Sequence, residues 1–380
     1  MTAMAFTGAR ILASEGWRDG HAVLIEAGHI VGIVAEDDVL VGTTRHSLQG
    51  GMLLPGFIDT QVNGGGGILF NDVPTVEGVA AIAAAHRRYG TTAFLPTIIS
   101  DTMDVVAAAI AAVDGAILAG VPGVVGIHIE GPFLNVGKRG IHDADKLCMI
   151  DAAAIDLLSS LKHGKTLVTL APERAPPGTV AELVRRGVIV AAGHTLATFV
   201  QMEAAMGEGL SGITHLFNAM SQLDSRAPGV VGAAMQGELA CGLIVDGHHV
   251  HPASLRVAYR AIGAARLMLV TDAMPTVGAS TETFMLGAQR IVARDGACYA
   301  SDGTLAGSDL NMAQAIKNAV AMMNVDVATA SRMASVTPAA FLELSATHGA
   351  LAVGMRADFV HLSDDLAPIG TWIAGVARDA

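Results

Sequence analysis

What most constrains this 380-residue sequence is a rhythm. Short apolar runs of β character recur through its middle. Each ends in a polar or glycine-bearing loop, and most are followed by an Ala-rich helical stretch. Eight can be placed, at residues 57–62, 92–97, 125–130, 167–171, 188–193, 212–216, 242–246 and 267–271. They start about 30 residues apart, the length of one βαβ unit. Eight such units over about 250 residues predict an α/β architecture, a (β/α)8 TIM-like barrel. A doubly wound sheet would want a G-x-G-x-x-G turn before its first helix. The glycines at 64–67 follow the first run without that spacing.

Both chain ends read as β structure. Runs at 21–26 and 30–34 flank the turn Glu26-Ala27-Gly28-His29, a hairpin signal, and runs at 357–362 and 371–376 close the chain. The expectation is a small β-sandwich domain from residues 1–53 together with 349–380, beside a catalytic barrel at 54–348. After the eighth run, Ser308 is expected to cap a helix reaching about residue 323. Thr337-Pro338 is expected to open another, with Thr as cap and Pro at the first helical position.

Composition narrows the function classes. Lys and Arg number 23 against 35 Asp and Glu, a net charge of −12. That balance argues against a nucleic-acid partner, which needs a basic footprint. Mean hydropathy is high, +0.49, and residues 105–129 are the best candidate for a membrane span. Asp114 and the breakers Gly120, Pro122 and Gly123 make this stretch read as helix, turn and strand. No signal peptide is expected. Cys148, Cys241 and Cys298 lack metal spacing and read as reduced thiols of a cytoplasmic protein.

In a barrel of this kind the chemistry lies at the C-terminal ends of the strands. Here those ends carry Glu130, His194, His215 and Asp272, with Asp246-Gly247-His248-His249 after the seventh run. Any one of these histidines could be a packed polar residue. Two imidazoles and a carboxylate on three different strands are instead a catalytic metal set that leaves a position for water. Asp272 is then placed as general base. Period-two alternation puts His128 on the same face as Glu130, one layer lower, and it reads as a buried packing residue. His21, His29, His46 and His361 read as surface residues of the β domain.

These residues carry a family resemblance. Pro55-Gly56-Phe57-Ile58-Asp59 before a Gly-rich loop, with metal-type residues on strands five and six and an aspartate on strand eight, resembles the amidohydrolase superfamily. His128-Ile129-Glu130-Gly131-Pro132-Phe133, Gly137-Lys138-Arg139-Gly140-Ile141-His142, Leu170-Ala171-Pro172-Glu173, Ala192-Gly193-His194-Thr195 and Thr214-His215-Leu216-Phe217-Asn218-Ala219-Met220 resemble its N-acetylglucosamine-6-phosphate deacetylases. So do Gly303-Thr304-Leu305-Ala306-Gly307-Ser308 and the closing Gly349-x-Leu351-x-x-Gly354-x-x-Ala357-Asp358.

The resemblance implies hydrolysis of an acetamide to an amino-sugar phosphate and acetate. Glu130, His194 and His215 would hold one divalent metal per subunit, zinc first, with iron, cobalt and manganese suited to the same ligands. Asp272 would shuttle the proton, and His142 would stabilise the oxyanion. Substrate contacts are implied for Ile141, His142, Asn218, Ala219, Asp246, Gly247, His248, His249, Leu305, Ala306 and Gly307. Arg226 would reach the phosphate from the second subunit of a homodimer. Gln61 and Asn63 stand where many superfamily members carry metal-binding histidines, and strand four ends without a lysine, so one metal is expected. The alternatives are deacetylation of N-acetylgalactosamine 6-phosphate and a catalytically silent binding module.

Overall fold

The computed structural model describes residues 4–377. Eight parallel strands form one sheet in sequential order: β1 (Phe57–Val62), β2 (Thr91–Ile99), β3 (Gly126–Glu130), β4 (Lys165–Leu170), β5 (Ile189–Ala192), β6 (Gly212–Ile213), β7 (Ala240–Ile244) and β8 (Leu267–Val270). All eight expected strands are present. β1 and β2 are buried along their whole length, because helices cover the outer face and side chains fill the inner one. Strands buried on both faces become continuous apolar runs, which explains the hydropathy.

The barrel closes between β1 and β8 through few backbone contacts. The Asp272 N–H donates to the Gln61 carbonyl at 3.0 Å, and the Asn63 N–H donates to the Ala273 carbonyl at 2.9 Å. The buried Asp59 carboxylate reinforces this seam. It accepts from Thr271 Oγ1 at 2.6 Å and from the Gln61 and Thr271 amides at 3.2 and 3.3 Å. Burial pushes the Asp59 carboxyl up to about 7, against the pull of those hydrogen bonds.

Residues 105–129 are helix, turn and strand, as expected. Helix Met103–Leu118 is capped by the Thr102 side chain and β3 follows after a turn. Among the described residues no helix is long and apolar enough to cross a membrane.

Two further sheets lie outside the barrel, one of N-terminal strands alone and one in which strands from both ends of the chain interleave. One has the order His29–Ala35, His21–Glu26, Met4–Thr7, Thr44–Ser47. In the other, Met52–Pro55 lies between Arg10–Ala13 and the C-terminal strand Phe359–Leu362. Phe6, Ile11, Val23, Leu53, Phe359 and Trp372 share their core, and Phe359 stacks on Trp372 at 5.2 Å.

Three local expectations need correction. Ser308 ends a strand, Leu305–Ser308, and its hydroxyl donates to the Thr271 carbonyl, so it caps nothing. Asn311 caps the helix Met312–Asn318 that follows. The helix expected to open at Thr337-Pro338 begins at Val336, which puts both residues inside its first turn. His361 is buried, its Nε2 held 2.7 Å from the Gly50 carbonyl. A four-stranded antiparallel sheet, Thr283–Leu286, Gln289–Arg294, Ala297–Tyr299 and Leu305–Ser308, follows β8 without having been expected. Its strands are short, and the longest, Gln289–Arg294, alternates exposed with buried residues and carries two arginines, so the sheet lacks the long apolar runs by which the barrel strands were found.

Candidate active site

Glu130 is the last residue of β3; His194, His215 and Asp272 each lie two residues beyond β5, β6 and β8. The three that follow a strand have left-handed backbones, φ +48° at His194, +32° at His215 and +52° at Asp272. This conformation is costly for residues with a Cβ and concentrates at functional sites. Here it turns each side chain out of the strand direction and over the barrel mouth.

Glu130, His194 and His215 are buried, with ligand atoms within 4.8 Å of one another. Nε2 of His194 and Nε2 of His215 lie 3.3 and 3.0 Å from Glu130 Oε1, and 2.9 Å from each other. The Lys138 carbonyl, 2.9 Å from His194 Nδ1, accepts a hydrogen bond from that nitrogen's N–H, which leaves a lone pair on Nε2. Two imidazole nitrogens facing each other can share at most one proton. A divalent cation would accept both lone pairs and the carboxylate, so the donor set fits such an ion. His215 Nδ1 is buried without a partner, free to carry that ring's proton when Nε2 is a ligand.

Electrostatics follow from this crowding. Burial alone would raise the Glu130 carboxyl, but hydrogen bonds and charge from both histidines hold it well below its ordinary range. Burial and the nearby Glu130 charge push Asp272 up to about 6. Asp272 Oδ1 accepts from Gln61 Nε2 at 3.0 Å and Asn63 Nδ2 at 2.6 Å, which leaves Oδ2 for proton transfer.

The cavity beside these groups, about 210 Å³, is lined by Glu130, His194, His215 and Asp272, and also by Ile141, His142, Asn218, Ala219, His249, Leu305 and Gly307. His142 Nδ1 accepts from the Ser100 N–H at 3.2 Å and lies 2.7 Å from Ser100 Oγ. The ring proton therefore sits on Nε2. Burial and the neighbouring His194 lower its pKa to about 3, so His142 stays a neutral donor. His249 is fixed by Asp246 Oδ2, 2.6 Å from Nδ1.

Other expected contacts lie away from the cavity. Ala306, between Leu305 and Gly307 on the same strand, is buried and does not line the cavity. His248 turns to the Asp295 carbonyl and Tyr299, and Gly247 makes the turn with φ +81°. Arg226 is exposed on its loop and does not line the cavity of its own subunit. His128 is buried, its Nε2 2.7 Å from Thr169 Oγ1, as read from strand parity. Sequence reasoning missed Ser100 and the two roles of Asp59 and Gln61 as partners of Thr271 and Asp272. No spacing links residues more than 200 positions apart.

The comparisons agree with this geometry. The chain is 42% identical over 371 residues, 97% of its length and 94% of the relative's, to the N-acetylgalactosamine-6-phosphate deacetylase of Shewanella sp. (strain ANA-3). It is 36% identical to the N-acetylglucosamine-6-phosphate deacetylase of Homo sapiens, covering 88% of this chain and 85% of that one. The crystal structure of N-acetylglucosamine-6-phosphate deacetylase from Pasteurella multocida superposes with a TM-score of 0.95 at 32% identity, covering 98% of both chains. The sequence profile of the Amidohydrolase family matches residues 52–378. That match takes in every barrel strand and all four groups at the barrel mouth, and the chain belongs to the amidohydrolase family.

Proposed function

We propose that this chain is a metal-dependent hydrolase that removes the acetyl group from N-acetyl-D-glucosamine 6-phosphate, giving D-glucosamine 6-phosphate and acetate. The observation that carries this reading is the convergence of Glu130, His194 and His215 beside Asp272 in one closed-in cavity. A divalent cation held by the trio, zinc by the chemistry of its ligands, supplies Lewis-acid activation of the acetamide carbonyl and of water. Asp272 takes a proton from the attacking water at Oδ2 and returns it to the departing amine nitrogen, which must leave neutral. His142 donates from Nε2 to the carbonyl oxygen as charge develops there. Asn218, Ala219 and His249 line the far side of the cavity and hold the phosphorylated end.

Arg226 supports a homodimeric reading: it is exposed and does not line its own cavity, and a planar guanidinium suits a phosphate reached from the partner. Residues 1–53 with 349–380 are taken as the small domain and 54–348 as the barrel. Three unpaired cysteines support a cytoplasmic setting.

A second reading, N-acetyl-D-galactosamine 6-phosphate as substrate, is favoured by the 42% identity to a protein of that name. The two sugars differ at one hydroxyl, and the acetamide chemistry is common to both. The test is acetate release from both hexosamine 6-phosphates and from unphosphorylated N-acetylglucosamine, at known metal content. Activity should be lost on chelation, return with one equivalent of cation, and prefer a phosphorylated sugar. An inert, fully loaded protein would identify a silent binding module.

A further inference from the structure

The motif Leu170-Ala171-Pro172-Glu173 has no part in the chemistry above, yet its carboxylate joins two catalytic loops. Glu173 lies in a short 3-10 turn directly after β4, outside the catalytic cavity. Its Oε1 accepts from Asn135 Nδ2 at 2.8 Å and from the Leu196 N–H at 2.7 Å, and its Oε2 accepts from Thr195 Oγ1. Asn135 belongs to the loop after β3, and Thr195 and Leu196 immediately follow His194.

The two loops are also tied where the carboxylate holds them. The Asn135 N–H donates to the His194 carbonyl at 2.9 Å. Asn135 Oδ1 caps the turn Val136–Lys138, which delivers the Lys138 carbonyl to His194 Nδ1. The same loop continues to His142. On the other side, the Thr195 N–H donates to the Ala219 carbonyl at 3.1 Å. One carboxylate therefore satisfies three donors and reaches the contact that selects the His194 tautomer through Asn135 and the turn it caps.

We infer that Glu173 is a positioning residue, a latch that holds the β3 loop against the end of β5 so that His194 presents Nε2 to the cation. This rests on the cation site proposed above. Partners that orient a ligating histidine typically change metal affinity about 10- to 100-fold when removed. A side chain that merely stabilised the loops would lower the melting temperature and leave affinity alone.

The test equilibrates zinc-loaded protein against graded chromophoric chelator and measures kcat and KM in parallel. Glu173→Ala should release zinc about 10- to 100-fold more readily, with kcat falling more than KM rises. Glu173→Gln should stay near wild type, because its carbonyl oxygen still accepts from Asn135 and Leu196 while its amide can donate to Thr195 Oγ1. Asn135→Asp leaves no cavity, keeps the cap on Gly137 and sets a second carboxylate against Glu173; it should also loosen zinc. Wild-type zinc retention in Glu173→Ala or Asn135→Asp, or equal loss in the Gln and Ala variants, overturns the latch. A wild-type protein that binds no zinc overturns the cation site and the latch together.

Discussion

Gln61 is hydrogen-bonded to Asp272, its Nε2 3.0 Å from Oδ1, and the same nitrogen lies 3.1 and 3.2 Å from the two oxygens of Glu130. One uncharged amide thus stands between two buried carboxylates, where a ligating histidine would invite a second cation. Gln61→Leu keeps the volume and removes the donor. The Asp272 carboxylate then loses a hydrogen bond to its charged form, which raises its pKa. The acid limb of the pH–rate profile should move up by about one unit, with kcat at pH 7 down about twofold, because a pKa of about 6 rising to about 7 halves the ionised fraction there.

The wild-type profile has its own signature. Asp272 must be ionised to accept a proton, and its pKa is raised to about 6 by burial and by Glu130. A bound cation pulls that value down, since it favours the carboxylate. Activity should be full above this pKa and fall as pH drops through it, with an apparent value at or below about 6 in kcat/KM.

Asp272→Asn should retain one cation by elemental analysis, because Glu130, His194 and His215 are untouched. Steady-state kinetics should show kcat reduced about 10²- to 10⁴-fold, the usual worth of a positioned general base.

Arg226→Ala should raise KM for the phosphorylated sugar and leave the weak hydrolysis of the unphosphorylated one nearly unchanged. If Arg226 acts across the dimer, mixing Arg226→Ala with Asp272→Asn subunits should restore activity, because a hybrid dimer has one cavity with both groups intact. Rates measured over a range of mixing ratios check this.

Asp59 bears on stability. Its folded pKa, about 7, lies above the ordinary 3.8 because burial favours the protonated acid. The contribution of that proton is complete below about pH 4 and is lost as pH rises through about 7. Asp59→Asn mimics the neutral form at every pH. Relative to wild type, the variant should gain on the order of 2 kcal/mol between pH 5 and pH 8, read from urea unfolding at both values.

The barrel was legible because strands buried on both faces must be apolar and must recur once per βα unit. Glu130, His194, His215 and Asp272 were legible because each interrupts such a run at its C-terminal end. The inserted sheet at 283–308 was not, because its strands are short and the longest, Gln289–Arg294, has a solvated face whose residues resemble a loop. The cap at Asn311 was misplaced onto Ser308 because both residue types cap equally well; the pairing of Leu305–Ser308 with its neighbour decided between them.

By itself, then, the sequence determined the recurrence of the barrel strands and which side chains stand at their C-terminal ends, since both depend on residue type and local spacing. Only the tertiary structure decided which nitrogen of His142 and His194 bears the proton, that Gln61 serves both carboxylates, and that Glu173 ties two loops. Those contacts join the loops at different strand ends; parallel strands of the barrel bring most of them together, and the Gln61–Asp272 contact forms only when its first and last strands close on each other.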